Sequence, residues 1–502
     1  MKKVRLINMS IDTEAVKLVS PHIIRLNRIL PISHNKHSIT LAIAHPLNHQ
    51  VIDDVRMATG LEVIPVLADE NEIDMAIRQF LAFRLDPDME KILSELKHRV
   101  KKSTNGDTEI QSINVEDAPI IRMVNYLLVQ AVQVHCSDIH IEPQQTDLRV
   151  RFRVDGELYE VFTMPKMSLP AMVSRIKIIG GMDISEKRVP QDGRFQMMIE
   201  GRDIDFRIST LPTSNGEKVV MRVLDQSQAL TGIDHLGLSS RNRERLIALS
   251  HRPHGMILVT GSTGSGKTTT LYAMLNNIDA EAKNIITLED PIEYSLAGVN
   301  QVQVNNRAGI TFLGGLGSIL RQDPDIIMVG EIRDHATAQL AVQAALTGHL
   351  VLSTLHTNSA AGTVARLAEM GIESFLLAAS LVGVISQCLV RRLCKHCCRK
   401  YMLDQVTAAG MGLAEETGEE FYQPVGCNMC RQLGYEGRVA LQEIMLIGPR
   451  VRSAINQGAK SDDIQTAALA EGMIAIRADG ISKARKGITS LEEVMRVVCL
   501  EE

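Results

Sequence analysis

A glycine-rich loop carries the clearest chemical pattern in the sequence, TGSTGSGKTTT over residues 260–270. It matches the spacing G-x-x-x-x-G-K-[ST], in which glycines let backbone N–H groups turn inward around phosphate oxygens. Lys267 would reach the β and γ phosphates, and the Thr268 hydroxyl would ligate Mg²⁺. The predicted site for ATP and Mg²⁺ comprises Gly261, Ser262, Thr263, Gly264, Ser265, Gly266, Lys267, Thr268 and Thr269.

The segments on either side of the loop have the character that this motif requires. The apolar run MILVT, residues 256–260, predicts a strand, and TTTLYAMLNNI, residues 268–278, predicts a helix. The N-terminus of that helix favours an anion. A strand before the loop and a helix after it argue against a chance glycine-rich turn.

Two further strands are predicted to end in carboxylates. The run IIMV is followed by Glu331, which could hold Mg²⁺ through water or orient the attacking water. The segment IITLEDPIEY, residues 285–294, places Glu289, Asp290 and Glu293 after another strand. Several carboxylates beside a phosphate site are costly unless a metal or a proton transfer needs them. The alternative is a solvated turn.

Two histidines, His349 and His356, bracket the short apolar strand in TGHLVLSTLHT. Both are expected at strand ends in the nucleotide-binding unit. They could sense a γ-phosphate, or they could be core histidines whose hydrogen bonds are satisfied by the protein.

Four cysteines form two C-x-x-C pairs, Cys394 with Cys397 and Cys427 with Cys430. Four thiolates in two tight turns suit tetrahedral Zn²⁺, and a set with no open position indicates a structural site. A redox pair is the alternative. Cys398 adds a thiol that could be spare or an alternative ligand, and we favour the former.

Composition excludes some classes of function. The 502 residues are too many for one core, so several domains are expected. The formal net charge is −5, Trp is absent and no long basic tract occurs, which disfavours nucleic acid as a partner.

The N-terminus does not have the pattern of a secretory signal. The apolar run over residues 375–390 is short for a membrane span and predicts a buried helix. A soluble, cytoplasmic protein is therefore expected.

The pattern of segments predicts a multidomain α/β chain. Residues 1–95 are predicted to form a small α/β domain with strands over 37–46 and 61–68 and helices over 53–60 and 72–85. A polar linker spans 96–112. Residues 113–226 combine a helix with two hairpins, and residues 237–502 alternate strands and helices as in a covered parallel sheet. The tetracysteine subdomain occupies 394–434 within this last domain.

Several segments together resemble the secretion ATPases of the type II secretion and type IV pilus assembly class. They are SDIHIEP, RVPQDGRF, GSTGSGKTTTLY, EDPIEY, LRQDPDIIMVGEIRD, TGHLVLSTLHTN, the two C-x-x-C pairs and GITSLEEVMRV. The resemblance runs from the N-terminal domain to the last helix and is nearest to the general secretion pathway protein E branch. It implies a RecA-like P-loop NTPase core, a PAS-like second domain and a zinc-binding insertion.

The resemblance also implies roles for single residues. Glu293 corresponds to the family's general base, and Glu331 to its Walker B glutamate. His349 and His356 fall in the family's histidine box. Without the resemblance, the roles of Glu293, His349 and His356 would remain open between a catalytic and a structural function.

Two arginines of the second domain gain a role only through the resemblance. Arg207 of DFRIST and Arg222 of VVMRVL match arginines that reach the γ-phosphate when two domains close. Arginine forks would neutralise the charge on the equatorial oxygens during phosphoryl transfer. From sequence pattern alone, an arginine on an alternating strand is usually solvated or ion-paired.

The leading prediction is a homohexameric ATP hydrolase peripheral to the cytoplasmic face of the inner membrane. It would dock on secretion platform proteins through its N-terminal domain and drive assembly of pseudopilin or pilin filaments. Type II secretion is the main expectation, and pilus extension is the alternative.

Retraction or conjugation motors usually lack the C-x-x-C pairs, so the pairs disfavour that class of motor. A nucleic-acid translocase and a non-hydrolysing sensor are also disfavoured. Longer relatives carry a further N-terminal module, sometimes with a cyclic-dinucleotide site, and no such motif is evident.

Overall fold

The computed structural model divides into two compact units, which are described separately. The described residues are 4–6, 11–19, 23–24, 27–44, 49–70, 72–73, 76–77, 118–225, 232–430 and 433–498. Unit 1 comprises Met1–Ser227, Cys394–Cys397 and Val425–Glu436, and unit 2 comprises Gln228–Leu393, Cys398–Pro424 and Gly437–Glu502. The linker predicted over 96–112, and most of the helix predicted over 72–85, lie outside the described residues.

The N-terminal part of unit 1 contains a three-stranded sheet. Its elements are α1 (Thr13–Leu18), β1 (Ile29–His34), β2 (Ser38–Ile43), α2 (His49–Thr59) and β3 (Glu62–Leu67). The strand order is β1-β2-β3, with an antiparallel and then a parallel pairing. The strands predicted over 37–46 and 61–68 are β2 and β3.

The second part of unit 1 is a six-stranded antiparallel sheet with helices on one face. Its elements are α3 (Ala118–Gln133), β4 (Asp138–Pro143), β5 (Asp147–Val154), β6 (Glu157–Pro165), α4 (Leu169–Ile179), β7 (Gln191–Ile199), β8 (Arg202–Thr213) and β9 (Gly216–Asp225). The strand order is β6-β5-β4-β9-β8-β7. Along β5 every second residue is buried, because alternate side chains enter the core beneath α3 and α4. The other face carries the charged residues.

Unit 2 is built on a seven-stranded sheet. Its elements begin with α5 (Ser240–Ser250), β10 (Gly255–Thr260), α6 (Lys267–Leu275), β11 (Ile285–Glu289), β12 (Asn300–Gln303), α7 (Phe312–Ile319), β13 (Ile326–Val329), α8 (His335–Leu346), β14 (Leu350–Leu355), α9 (Ala360–Glu369), α10 (Ser374–Ser380) and β15 (Leu381–Leu393). The strand order is β12-β11-β13-β14-β10-β15-β18, where β18 is Tyr435–Leu446, and the strands from β12 to β15 pair in parallel. The central strands are buried on both faces, as a covered parallel sheet requires.

The remaining elements follow β15. They are β16 (Arg399–Met402), α11 (Gln405–Gly410), β17 (Glu420–Gln423), β18 (Tyr435–Leu446), α12 (Pro449–Asn456), α13 (Ser461–Ala470), α14 (Ile476–Arg485) and α15 (Leu491–Val498). Strands β16 and β17 form a two-stranded antiparallel sheet. The structure thus confirms a mixed α/β chain with several folded parts.

The prediction of a buried helix over residues 375–390 is wrong for most of that segment. Helix α10 ends at Ser380, and the chain continues as β15, which pairs with β10. A continuous apolar run has neither a helical nor an alternating period, so periodicity could not distinguish the two structures. The β-branched residues Val382, Val384, Ile385 and Val390 favour the strand. Within the described ranges, no helix is both long and apolar enough to span a membrane.

Candidate nucleotide and zinc sites

The loop between β10 and α6 has a backbone that glycine must provide. Gly261, Gly264 and Gly266 have φ values of 143°, 79° and 85°. A Cβ atom on Gly261 would lie 2.2 Å from the carbonyl oxygen of Gln387, which no real contact permits. Ser262, Thr263 and Gly264 are exposed, so the loop presents its backbone to solvent. The glycine spacing found in the sequence therefore corresponds to a tight turn that is exposed to solvent and lies at the start of a helix.

Lys267 is the first residue of α6 and lies against the loop. Its Nζ donates to the carbonyl oxygens of Gly261 at 2.8 Å and Ser262 at 2.9 Å. Burial lowers the pKa of Lys267, and the nearby charge of Glu331 opposes that shift. Ser265 is buried, and within the described residues its hydroxyl has no hydrogen-bond partner. A lysine, an unpartnered hydroxyl and an open glycine-rich turn fit the phosphates of a nucleotide.

Gln387 on β15 holds this loop in place, and the sequence analysis missed it. Its Nε2 donates to the carbonyl oxygen of Ser265 at 2.7 Å. Its Oε1 accepts from the Thr270 hydroxyl at 2.8 Å and from Nε2 of Gln442, on β18, at 3.0 Å. One buried amide thus fixes the loop, the helix after it and a second strand. No local pattern indicates this contact, because its partners are distant in sequence.

Glu331 and His356 lie together at the carboxyl edge of the sheet. Glu331 follows the end of β13, forms an ion pair with Arg333, and has Oε2 3.8 Å from Nε2 of His356. Burial lowers the pKa of His356, and the positive charge of Lys267 lowers it further. The strand-end carboxylate that the sequence predicts is therefore close to the loop lysine. Arg333 was not singled out, although it lies two residues after Glu331 in GEIRD.

The acidic turn after β11 carries two glutamates, Glu289 and Glu293, which differ in burial. Glu289 is buried and accepts hydrogen bonds from the hydroxyls of Tyr272 and Thr287 and from Nε2 of Gln301. It is a structural group. Glu293 is partly exposed, and its backbone N–H donates to the Tyr272 hydroxyl at 3.4 Å. Because Tyr272 belongs to α6, the turn that carries Glu293 is tied to the helix of the phosphate loop.

His349 lies at the other end of β14 from His356. Its Nδ1 is 2.9 Å from the carbonyl oxygen of Ala344, and its own carbonyl accepts the N–H of Gly255, where β10 begins. The intervening strand of six residues spans about 20 Å. The structure therefore separates His349 from the group at the carboxyl edge. Its predicted part in γ-phosphate sensing stays a prediction.

Arg207 and Arg222 are neighbours in unit 1. They are directly opposed on β8 and β9, where Arg207 lies beside Asp205 and Arg222 beside Asp138. Both are on the charged face of the six-stranded sheet. Their reach to a γ-phosphate stays a prediction.

The four predicted zinc ligands form one cluster. The Sγ atoms of Cys394, Cys397, Cys427 and Cys430 all lie within 4.8 Å of one another. Three of the separations are 3.8, 3.7 and 3.8 Å. A disulfide would bring two sulfurs to about 2.05 Å. Tetrahedral zinc with Zn–S bonds of about 2.3 Å places thiolates about 3.8 Å apart. The cluster therefore fits Zn²⁺, and Cys398 is not one of its four members.

Backbone groups support the thiolate form of Cys430. The N–H groups of Cys427 and Gly434 donate to Sγ of Cys430 at 3.2 and 3.1 Å. A hydrogen bond from the Cys394 thiol lowers the pKa of Cys430 to about 4, whereas burial raises the pKa of Cys427 to about 11. Such N–H donors orient metal-bound thiolates and make a zinc site more stable.

Removal of zinc is expected to unfold the segments that carry the four cysteines. Because four closely spaced thiolates repel one another without a cation, the purified chain should contain about one zinc per chain and lose protection of residues 394–434 from hydrogen exchange after chelation. Cys427→Ser should abolish zinc retention, whereas Cys398→Ser should not. Full-length protein with four reduced thiols and no stoichiometric zinc would contradict the assignment.

Comparison with known proteins shows to which family the chain belongs. Residues 114–496 match the sequence model of the type II/IV secretion system protein family. The chain belongs to this family. The resemblance drawn from the sequence is thereby confirmed. Residues 3–87 match the MshEN domain, an assignment that the sequence analysis did not make.

Family members of both secretion and pilus systems are similar to the chain. It is 52% identical over 384 residues to type II secretion system protein E of Pectobacterium carotovorum subsp. carotovorum, covering 76% of each chain. It is 43% identical over 500 residues to the type IV pilus assembly ATPase PilB of Pseudomonas aeruginosa, covering 97% of this chain and 87% of PilB. A solved structure of the pilus retraction motor PilT with bound ADP is 26% identical with a TM-score of 0.51, covering 74% of this chain and 95% of PilT.

Proposed function

We propose that this family member is a Mg²⁺-dependent ATP hydrolase that drives type II protein secretion through pseudopilus assembly. The observation that carries the proposal is the grouping of Lys267, Glu331 and His356 at one edge of a parallel sheet. Open α/β sheets bind ligands at this edge, beyond the carboxyl ends of the strands.

The residues predicted to act on the nucleotide divide the reaction among them. Lys267 and the loop N–H groups bind the phosphates, and Thr268 and Glu331 hold the cation. Bound Mg²⁺ supplies charge neutralisation on the phosphate oxygens. Glu293 accepts the proton of the attacking water, which leaves ADP and phosphate. By the resemblance to the family, Arg207 and Arg222 would neutralise charge on the γ-phosphate during phosphoryl transfer, a contact that would couple hydrolysis to domain movement.

Type II secretion is favoured by identity, since protein E of Pectobacterium is 52% identical over the shared region. Pilus extension remains the second candidate because of one specific observation. PilB of P. aeruginosa is similar over 97% of this chain, which includes the N-terminal domain, whereas the match to protein E covers 76%. The N-terminal domain, residues 1–95, is where we place docking on inner-membrane platform proteins, with the ATPase acting as a hexamer on the cytoplasmic face.

A deletion strain of the source bacterium tests the assignment. Loss of the gene is expected to abolish release of type II cargo into the medium and to leave surface pili intact, and the wild-type gene should restore release. Immunoblots of the medium and electron microscopy of pili measure the two outcomes. Loss of pili with normal cargo release would replace the proposal by pilus extension.

A further inference from the structure

Arg333 is paired with the carboxylate that the proposed function assigns to the cation. It lies two residues after Glu331, and its guanidinium donates to Oε1 of that side chain. The other oxygen, Oε2, is 3.8 Å from Nε2 of His356, whose pKa is lowered by burial. A histidine with a lowered pKa is neutral at physiological pH, so Arg333 supplies the positive charge that contacts Glu331 directly.

The backbone is fixed on both sides of Arg333. The N–H of Ile332 donates to the carbonyl oxygen of Thr354 at 3.1 Å, and the Ile332 side chain is buried. Asp334 caps helix α8, where its Oδ1 accepts the N–H of Thr337 at 2.9 Å. Between these two anchors, the Arg333 side chain is 64% exposed. A change of side-chain rotamer can therefore carry the guanidinium to another partner without movement of the chain.

A second carboxylate, that of Asp290, lies at the same edge of the sheet. Asp290 follows β11 as Glu331 follows β13, and the two strands pair in parallel. Each carboxylate lies two residues beyond the last pair of that ladder, Leu288 with Val329. The hydrogen bond with Glu331 raises the pKa of Arg333, and the charge of Asp290 adds to the shift. Arg333 therefore has two carboxylates within its electrostatic reach, of which Asp290 is exposed.

Pairing with Arg333 and binding of a cation compete for Glu331. Mg²⁺ prefers oxygen ligands, and in nucleotide sites it is held by one or two carboxylates together with phosphates and water. The Glu331 side chain offers such oxygens and is 17% exposed, so it fits this role. A guanidinium at Oε1 places a positive charge beside the same position, and Coulomb repulsion opposes a second cation there.

We propose that Arg333 is a positioning residue, which closes the cation site of the nucleotide-free protein by pairing with Glu331 and transfers to Asp290 when nucleotide binds together with Mg²⁺. The proposal rests on the function proposed above. A nucleotide that carries its cation must displace Arg333, whereas a nucleotide without the cation need not. Arg333 therefore limits how much affinity Mg²⁺ adds to nucleotide binding.

The affinity of the full-length protein for ATPγS, measured by titration calorimetry in excess Mg²⁺ and again in EDTA, tests this role. Arg333→Gln removes the competing charge. Binding in Mg²⁺ is expected to become about fivefold tighter, the upper end of the range for a surface ion pair, whereas binding in EDTA should not tighten. Arg333→Lys keeps the charge and should stay near the wild-type affinity in Mg²⁺.

The matched control is Arg366→Gln. Arg366 is also an exposed arginine of unit 2, and it is paired with Glu369 on α9 at 3.3 Å. Its substitution should leave both affinities for ATPγS unchanged. The melting temperature of each unliganded variant verifies folding.

Asp290→Asn tests the transfer. Without this carboxylate Arg333 has a weaker alternative to Glu331, so ATPγS binding in Mg²⁺ should weaken. The same substitution should have a smaller effect in the Arg333→Gln background, because no arginine is left to transfer. Equal effects in the two backgrounds would show that Asp290 does not receive Arg333, which overturns the proposed exchange.

Other roles of Arg333 predict a different sign. If Arg333 binds a phosphate itself, Arg333→Gln weakens ATPγS binding both in Mg²⁺ and in EDTA. If Arg333 only orients Glu331 toward the cation, the same variant weakens binding in Mg²⁺ alone. Either result, an unchanged affinity in Mg²⁺, or equal tightening in both conditions would overturn the proposal.

Glu331→Gln separates this failure from failure of the proposed function, which requires that this variant lose both hydrolysis and most of the affinity that Mg²⁺ adds. If Glu331→Gln keeps both, the cation has been assigned to the wrong residue and the proposed mechanism fails. If Glu331→Gln loses both while Arg333→Gln binds ATPγS in Mg²⁺ as the wild type does, only the role of Arg333 fails.

Discussion

Lys267→Ala is expected to lower the rate of ATP hydrolysis by about 100-fold or more and to abolish export in cells. The Nζ atom of Lys267 lies at the opening of the loop, where it donates to two loop carbonyls and is close to Glu331. A positive group placed at a transferring phosphate supplies stabilisation of this size, because it meets charge that develops in the transition state. Phosphate release by the purified protein and cargo release by a complemented deletion strain measure the two effects.

The fold should survive this change. In the described residues the amino group of Lys267 bonds only to carbonyls five and six positions earlier in the chain, so its loss removes no contact of the core. The unliganded melting temperature should therefore match the wild type. Lys283→Ala is the control, since Lys283 is an exposed lysine paired with Asp325 at 2.9 Å. Hydrolysis at a wild-type rate by Lys267→Ala would remove the loop from the mechanism.

Glu293→Gln is expected to lower kcat by about 100-fold or more while ATP binding persists. Glutamine keeps the size of glutamate but cannot accept the proton of the attacking water, and loss of a general base has effects of this order. Binding should persist because Lys267 and the loop N–H groups are untouched. Single-turnover hydrolysis and calorimetric titration with ATP separate the chemical step from binding.

Glu289→Gln provides the contrast within the same turn. The Glu289 carboxylate accepts from three donors, and an amide would turn its NH₂ toward at least one of them. We expect a loss of stability of about 1–3 kcal/mol, seen as a lower melting temperature, without the selective loss of kcat. If Glu289→Gln loses kcat at full stability while Glu293→Gln retains it, the base has been assigned to the wrong carboxylate.

Much of the nucleotide site could be predicted from residue types and their spacing within short segments. The loop, its strand and its helix are consecutive in the chain, and the required backbone conformations select glycine at fixed positions. Glu331 and Glu293 could be found because each follows a buried strand, and parallel strands end at one edge of a sheet. The zinc cluster was predictable from two C-x-x-C pairs, although the pairs are separated by residues 398–426.

Other features depend on contacts between distant segments. Gln387 bonds to Thr270 across 117 positions and to Gln442 across 55, so no local pattern indicates that it holds the phosphate loop. Similarly, His349 and His356 look alike in sequence, but the direction of β14 places only His356 beside Glu331.

By itself, the sequence determined which residues could bind phosphate, accept a proton or hold zinc, because those properties reside in residue type and short spacing. The tertiary structure decided which of them meet. Strand order brought Glu331 and His356 to the loop lysine, and strand register aligned Arg207 with Arg222. Register and order follow from burial of side chains across the whole sheet, a long-range quantity that no short segment encodes.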